Sequence, residues 1–457
     1  MFLRRILPVL GVALVALSGC AVPSTTTGSD SSGSAQIIPE LAPGQKVSIR
    51  WESYNLASAG IFGKTANDLV AEFERMHPNI DVEAVPPQGG VGEIVQSVQR
   101  QVVAGNPPDV SQLTFAGLRY AASDLGARPI DDLVGEDAVQ QQLNSGPHPY
   151  NPRAATLGDV NGKTYGVPYV FSTPMLFYNA DLFRKAGLDP NKPPKNWDEV
   201  RAAAQAIGAL PNTNGASIAC LDPPQDGEWC LQGIIRSNGG RVLSEDAKNI
   251  TWADPQSTQA ITMLQQLAQS GPRSMPNITG TDGQDSFLRG ETGMLLTSSA
   301  LQNTILKSSA GKWEARAAAL PGFGDTPAVP TNSGSALFIL SEDPAKQRAA
   351  WELIKFLTSA ESQTTITENI GYVPLRSSLV EDPAHLKGFA DAHPGFVLPN
   401  IAQLNRLEPW VSYPGPNYQQ IRTGFARAVE DVVFHGADPQ ATLSAAQTAG
   451  QALMPKK

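Results

Sequence analysis

Cysteine and histidine are scarce in this sequence. Its 457 residues contain 3 cysteines and 5 histidines. Neither the His-Glu-x-x-His pattern of zinc hydrolases nor the Gly-x-Ser-x-Gly turn of serine hydrolases occurs. The histidines are spread along the chain, at His77, His148, His385, His393 and His435. The sequence therefore predicts neither a metal site nor a serine hydrolase.

A complete phosphate-binding loop is also missing. Gly63-Lys64-Thr65 and Gly162-Lys163-Thr164 supply only the last three residues of such a loop. The glycine needed five residues earlier is Ser58 in the first case and Leu157 in the second. We therefore expect no phosphate loop and no cofactor.

Basic residues are fewer than acidic ones. The chain has 34 Lys and Arg against 43 Asp and Glu, which gives a formal charge of −9. Loss of Arg4 and Arg5 with a cleaved leader would lower the charge from −9 to −11. Such a surface disfavours nucleic acid or an anionic membrane surface as a partner. A small ligand that is neutral or weakly charged is expected instead.

Long apolar runs are confined to the N-terminus. Arg4 and Arg5 precede an apolar stretch, Ile6–Leu17, that is too short to span a bilayer but has the length of a signal-peptide core. Leu17-Ser18-Gly19-Cys20 resembles the bacterial lipobox, in which the cysteine is lipidated after cleavage. The alternative is an ordinary secretory signal with a chance cysteine.

The residues after Cys20 favour lipidation. Up to about Gln45 they are mostly Ser, Thr, Gly and Pro, with too little apolar surface to fold. We therefore predict a signal peptide over 1–19, a lipid on Cys20 and a flexible tether over 20–45. The protein would be exported and held at the outer face of the cytoplasmic membrane by its lipid alone.

The other two cysteines are Cys220 and Cys230. An exported compartment is oxidising, and nine intervening residues can turn back on themselves, so a disulfide is expected. The alternative, a metal site or a catalytic thiol, lacks nearby histidines.

Strand and helix patterns alternate from Lys46 onward. They predict a strand over Lys46–Glu52, a helix over Thr65–Met76, a strand over Ile80–Val85, a helix over Ile94–Val103 and a third strand from Val110. This order is typical of a parallel α/β sheet. Roughly 430 mature residues exceed one ordinary core, so two lobes are expected.

Four segments resemble a known family. They are Phe171–Asn179, Lys185–Pro190, Pro193–Trp197 and Gly371–Leu375. They are similar to segments of the extracellular solute-binding proteins of carbohydrate ABC importers, and most to the binders of glycerol-3-phosphate and glycerophosphodiesters. The resemblance implies an α/β fold like that of maltose-binding protein, with two discontinuous lobes joined by hinge strands.

The resemblance also places the lobes. The first would comprise 46–167 and 290–331, and the second 172–288 and 334–457. Crossings near 168–172 and 331–334 would form the hinges between them.

The family's ligand residues fall on particular positions of this chain. They match Ser172, Trp229, Gly334 and Tyr372, and a further ligand serine falls between Ser298 and Ser299. Hydroxyls and backbone amides suit a polyol, and aromatic rings cover its C–H face. Each residue could instead be core or a satisfied strand end. Glu52 and Tyr54 are added because ligands bind beyond the carboxyl ends of strands in open α/β sheets, and Trp410 because its aromatic loop could line the cleft.

Three positions depart from the glycerophosphodiester binders. Phe115 stands where they have a glutamate. Val91 or Gly92 falls near the position of one of their tyrosines, and Ile401 falls near the position of an arginine. These changes remove groups that would orient a phosphoglycerol. The ligand could therefore be a sugar or an oligosaccharide instead.

The function implied by the resemblance is capture without chemistry. A monomeric lipoprotein would bind a sugar, an oligosaccharide or a glycerophosphodiester-type polyol and deliver it to ABC permease subunits. Two alternatives remain. An exported carbohydrate-active enzyme needs only two carboxylates and no sequence signature, and the same fold could serve a membrane sensor.

Overall fold

The computed structural model describes residues 37–58, 60–89, 91–221 and 228–456. The predicted signal peptide, Cys20 and the tether as far as residue 36 lie outside these residues. Among the helices within them, none combines the length and the apolar character needed to cross a lipid bilayer.

The elements follow in chain order. The strands are β1 (Val47–Ser53), β2 (Ile80–Val85), β3 (Val110–Thr114), β4 (Asp159–Val160), β5 (Lys163–Thr164), β6 (Gly166–Ser172), β7 (Pro174–Asn179), β8 (Asn214–Ile218), β9 (Thr292–Ser298), β10 (Ala315–Ala319) and β11 (Ser333–Ile339). The α-helices are α1 (Tyr54–Ala57), α2 (Ile61–Met76), α3 (Ile94–Val103), α4 (Leu118–Ser123), α5 (Ile130–Val134), α6 (Glu136–Asn144), α7 (Pro152–Ala155), α8 (Ala180–Lys185), α9 (Trp197–Gly208), α10 (Glu228–Ser237), α11 (Pro255–Gln269), α12 (Gly280–Leu288), α13 (Gln302–Ser309), α14 (Pro344–Leu357), α15 (Ala360–Asn369), α16 (Lys387–Ala392), α17 (Pro394–Gln403), α18 (Tyr418–His435) and α19 (Pro439–Leu453). Short 3-10 helices cover Val91–Glu93, Phe115–Gly117, Ala219–Leu221, Ser299–Leu301, Ser377–Glu381 and Leu404–Arg406.

The first sheet has the strand order β2-β1-β3-β11-β6. β1 is parallel to β2 and β3, as the alternating pattern predicts, and β11 is antiparallel to β3 and β6. The alternation of Val47, Ile49 and Trp51 forms β1 because all three side chains are buried in the core. The predicted bounds of β2 and α3 are confirmed.

The second sheet has the strand order β10-β7-β9-β8. β7 is antiparallel to β10 and β9, whereas β8 and β9 are parallel. The chain enters this sheet at Thr173, the single residue between β6 and β7, and it returns to the first sheet between β10 and β11. Both sheets are flanked by helices, with α14 packed on β1 and α9 on β8.

The predicted grouping of segments into lobes is wrong. Segment 290–331, expected to belong with 46–167, contains β9 and β10, and both pair with β7 of the second sheet. β11, at the start of segment 334–457, pairs instead with β3 and β6 of the first sheet. Each crossing moves the chain to the other sheet, so the strands between the two crossings all belong to the second sheet.

The end of the predicted tether is ordered against the first sheet's helices. Ile38 is 6% exposed, and its amide donates to the Leu133 carbonyl at 2.8 Å. Arg348 of α14 donates to the carbonyl oxygens of Ile38 and Pro39 at 2.7 and 3.1 Å. The prediction of a tether up to residue 45 is therefore wrong for 37–45, because one buried isoleucine and one buried arginine hold this stretch.

Candidate ligand site

The predicted serines meet where the chain crosses between the sheets. Ser172 ends β6, and Ser298 ends β9. The Ser298 hydroxyl donates to the Ser172 hydroxyl at 2.7 Å and accepts from the amide of Ala300 at 3.2 Å. Ser172 is 1% exposed, whereas Ser298 is partly exposed. Of the two hydroxyls, that of Ser298 is the more accessible to a ligand.

Ser299 has a structural partner. Its hydroxyl accepts a hydrogen bond from the Thr173 amide at 3.2 Å, and its own amide donates to the Thr173 carbonyl at 3.0 Å. The side chain is buried. These contacts fix the residue that joins the two sheets, so in this structure Ser299 holds the crossing in place.

Gly334 has a steric reason to be glycine. Its φ is +114°, a region that favours glycine, and it pairs with Phe171 of β6. A Cβ at this position would lie 2.1 Å from the carbonyl oxygen of Val170. The close approach of β11 to β6 therefore accounts for this glycine without a ligand.

Trp229 and Ser298 line one cavity of about 220 Å³. The other residues around it are Ala219, Cys220, Cys230, Gly280, Thr281, Gln284, Thr297 and Ser333. Trp229 lies in the first turn of α10 and is 8% exposed. Among the described lining residues the polar groups are hydroxyls and an amide, and none is Asp, Glu, Lys or Arg. An aromatic ring among neutral hydrogen-bonding groups suits a neutral polyol.

A disulfide forms part of the cavity wall. Cys220 and Cys230 are bonded, with their Cα atoms 5.9 Å apart, which confirms the predicted pair. Both cysteines line the cavity. The bond ties the start of α10, and with it Trp229, to the 3-10 helix that follows β8.

Sequence reasoning missed Thr281, Gln284 and Ser333. Thr281 and Gln284 are three residues apart on α12, so they share one helix face. No motif marks that face. Ser333 could have been inferred, because it immediately precedes Gly334 and pairs with Ser172.

Trp410 is held in a buried polar network centred on Glu228. The Trp410 indole N–H donates to Glu228 Oε2 at 2.9 Å, and Arg422 Nε donates to the same oxygen at 3.3 Å. Gln232 Nε2 donates to Glu228 Oε1 at 2.7 Å. Burial, with the charge of Glu228 nearby, holds the pKa of Tyr413 well above its usual value. Trp410 does not line the cavity and serves in this network instead.

Tyr54 and Tyr372 lie together beside the first sheet. The Tyr54 hydroxyl donates to Ser335 Oγ of β11 at 3.1 Å. Burial, with Tyr54 as a close neighbour, holds the pKa of Tyr372 well above its usual value. The Tyr372 ring also packs edge-on against Phe62, at 6.1 Å between centroids. Both tyrosines are at least nine-tenths buried, and neither lines the cavity.

Glu52 and Phe115 are buried apart from the cavity. Glu52 is 1% exposed, and its Oε2 accepts from Gln101, whereas its Oε1 has no hydrogen-bond partner among the described residues. Phe115 is 2% exposed in a 3-10 helix that packs against β11. The structure therefore brings Trp229, Ser172 and Ser298 together with Ser299 and Gly334, and leaves the other predicted residues in separate clusters.

Comparisons with known proteins agree with this architecture. The sn-glycerol-3-phosphate-binding periplasmic protein UgpB of Pectobacterium atrosepticum is 24% identical over 414 residues, covering 86% of this chain and 89% of that protein. The crystal structure of UgpB from Mycobacterium tuberculosis with glycerophosphocholine has a TM-score of 0.75 at 20% identity, covering 89% of this chain and 98% of that one. The cyclic alpha-maltosyl-1,6-maltose binding protein of Arthrobacter globiformis has a TM-score of 0.74 at 20% identity, covering 89% and 99%.

These structural likenesses show the fold, a two-lobed α/β architecture of the maltose-binding-protein type. The family profile of bacterial extracellular solute-binding proteins matches residues 57–364, about two thirds of the sequence. The chain belongs to the bacterial extracellular solute-binding protein family.

Proposed function

We propose that this protein is the substrate-binding component of an ABC importer and that it captures a neutral sugar or polyol in the cavity at the sheet crossing. The observation that carries the proposal is the meeting of Trp229 and Ser298 in one cavity, beside the point where the chain changes sheets. Among the similar proteins, the name of one refers to a cyclic maltose compound, which supports a neutral sugar. The names of two others refer to glycerol-3-phosphate and glycerophosphocholine, which support a polyol-like ligand although both compounds carry a phosphate.

The chemistry of the lining favours a neutral ligand. Hydroxyls of Ser298, Thr281 and Ser333 and the Gln284 amide both donate and accept hydrogen bonds, as a polyol requires. A phosphate would favour a cation, and the described lining residues include none. The volume of about 220 Å³ lies below the range of about 300–1,000 Å³ usual for drug-sized ligands, so one sugar unit or a short polyol fits best.

Capture would proceed by lobe closure. We take the first lobe as 37–172 with 333–392 and the second as 174–331 with 394–456, because α17 packs on β10 whereas β11 joins the first sheet. Ligand contacts made by both lobes would favour the closed form, and the closed form would dock on permease subunits. Lipidation of Cys20 would keep a monomeric binder beside that permease.

The residues described around the cavity do not support the enzyme alternative. A glycosidase needs two carboxyl groups flanking the scissile bond. Among the described residues that line the cavity there is no Asp or Glu. Binding without chemistry is therefore the function we propose.

Isothermal titration calorimetry of the purified protein tests the proposal. Maltose, trehalose, glucosamine, glycerophosphocholine and glycerol-3-phosphate would each be titrated, and we expect saturable binding of a neutral sugar or polyol with no release of reducing sugar. Trp229→Ala should abolish this binding, whereas Trp313→Ala, at a partly buried residue outside the cavity, should leave it intact. Enzymatic release of sugar, or equal binding by Trp229→Ala, would refute the proposal.

A further inference from the structure

Two histidines and an aspartate that are distant in sequence lie close together. His148 follows α6, while Asp382 and His385 lie just before α16. Their ligand-type atoms are all within 4.8 Å of one another, and the two imidazole rings are 5.2 Å apart at 80°. Although the histidines are spread along the sequence, the fold brings His148 and His385 together. None of the three residues lines the cavity described above.

Hydrogen bonds fix the tautomer of His385. The Thr364 hydroxyl donates to the Ala360 carbonyl at 2.8 Å, so its hydrogen is already used. The same oxygen lies 2.9 Å from His385 Nδ1 and must accept from it. Nε2 of a neutral His385 therefore carries a lone pair. An imidazole held in this way by a bond at its other nitrogen is the usual form of a metal ligand.

His148 and Asp382 are oriented in a comparable way. His148 Nδ1 is 3.0 Å from Ser378 Oγ, and its Nε2 is 3.0 Å from Asp382 Oδ2. Asp382 Oδ1 accepts from the Ala384 amide at 2.8 Å, which directs Oδ2 toward the histidine. A cation could replace the proton between Nε2 and Oδ2, with Ser378 Oγ accepting from Nδ1.

We propose that His148, Asp382 and His385 bind one Zn²⁺ ion, with water completing a tetrahedral site. Zinc–nitrogen bonds of about 2.0–2.1 Å place ligand atoms roughly 3.3 Å apart, so modest side-chain rotation would close the cluster. Two imidazoles favour zinc over Mg²⁺ and Ca²⁺, which prefer oxygen ligands. The Asp382 side chain is 32% exposed, so water can reach the fourth position.

A zinc ion here would join two segments of the first lobe, close to the point where the chain passes to the second lobe. Asp382 and His385 precede α16, and α17, which follows α16, packs on β10 of the second sheet. His148 lies in the loop after α6, and this loop precedes β6 of the first sheet. The ion would therefore hold residues 382–385 to the loop after α6 and stabilise the first lobe beside this connection.

Zinc titration of the full protein, freed of metal with a chelator and carrying no tag histidines, tests the site. We expect one Zn²⁺ per chain by calorimetry, a raised melting temperature, and a tetrahedral Co²⁺ absorption spectrum. His385→Ala and Asp382→Asn should each weaken Zn²⁺ binding by more than about tenfold. Asp382→Asn keeps the volume of the side chain, so it separates loss of the metal from loss of the fold.

His435→Ala is the matched control. His435 forms an exposed pair with Asp431 at 3.0 Å on α18, and its loss should leave zinc binding unchanged. If the unmodified protein fails to bind one Zn²⁺ per chain in the titration, the proposal is wrong. So would equal zinc affinity in a folded His385→Ala variant, or a loss of binding caused by His435→Ala alone.

Discussion

The hydroxyl of Ser298, at the end of β9, is hydrogen-bonded at 2.7 Å to that of Ser172, at the end of β6. β9 belongs to the second sheet and β6 to the first, so this bond joins the two sheets where the chain crosses. Ser298 also lines the cavity, so one side chain both joins the two sheets and contributes to the candidate ligand site.

Ser298→Ala and Ser299→Ala should have different effects. The first removes a hydroxyl from the cavity, and we expect ligand affinity to fall by about 1 kcal/mol, roughly fivefold. The second leaves the Thr173 amide without its acceptor, so the free energy of unfolding should fall by about 1–3 kcal/mol with little change in affinity. Calorimetry and urea unfolding of both variants would check this, and identical profiles would contradict it.

Gly334→Ala should severely destabilise the first sheet. The new Cβ would meet the Val170 carbonyl at 2.1 Å in a backbone conformation with φ +114°. We expect a loss of more than about 3 kcal/mol, or no soluble protein. Gly424→Ala is the control, because a Cβ there meets nothing within 4 Å inside α18 and should stabilise by up to about 1 kcal/mol. Thermal unfolding would measure both, and equal melting temperatures would count against this account.

Removing the Glu228 carboxylate should unfold its surroundings. Glu228→Ala takes away the acceptor of the Trp410 indole and an ion-pair partner of Arg422, whose side chain is 6% exposed. The expected cost is about 3–5 kcal/mol. Glu245→Ala, which removes an exposed pair with Arg241, should cost less than about 1 kcal/mol. Urea midpoints would show the contrast, and a small loss from Glu228→Ala would argue against a fully buried pair.

Stability should fall in alkaline solution. Folding raises the pKa of Tyr372 and of Tyr413 above the usual value. The folded state therefore keeps both protons at a pH where the unfolded chain, whose tyrosines titrate near pH 10, releases them. Their contribution is therefore complete below about pH 10 and is lost as pH rises, by up to about 1.4 kcal/mol per pH unit for each tyrosine. Urea unfolding between pH 8 and 11 would measure the slope. Tyr413→Phe should make it shallower, and an unchanged slope would contradict the assignment.

Local patterns predicted the elements well but not their partners. The bounds of β2 and α3 follow from alternation and helical spacing in the residues themselves. The pairing of β11 between β3 and β6 depends on contacts more than 150 residues apart, and no local pattern encodes it. This is why the segments were assigned to the wrong lobes even though the crossings themselves could be located.

The candidate site divides in the same way. Ser172, Ser298 and Trp229 could be found because the family resemblance marks them, and the structure places them around one crossing. Thr281 and Gln284 carry no motif, and only the packing of α12 brings them to the cavity. Glu52 was chosen by its position at a strand end, and Phe115 because it stands where the glycerophosphodiester binders have a glutamate, but the core covers both in this structure.

The interleaved order of the first sheet has a consequence for biosynthesis. β11 lies between β3 and β6, yet it is translated after the whole second sheet. While the chain emerges from the ribosome, β3 and β6 cannot pair with β11 until residue 339 has been made. Pairing over such sequence distances is slow. The first sheet would therefore stay incomplete through most of the synthesis, a state in which a secretion channel could still thread that part of the chain.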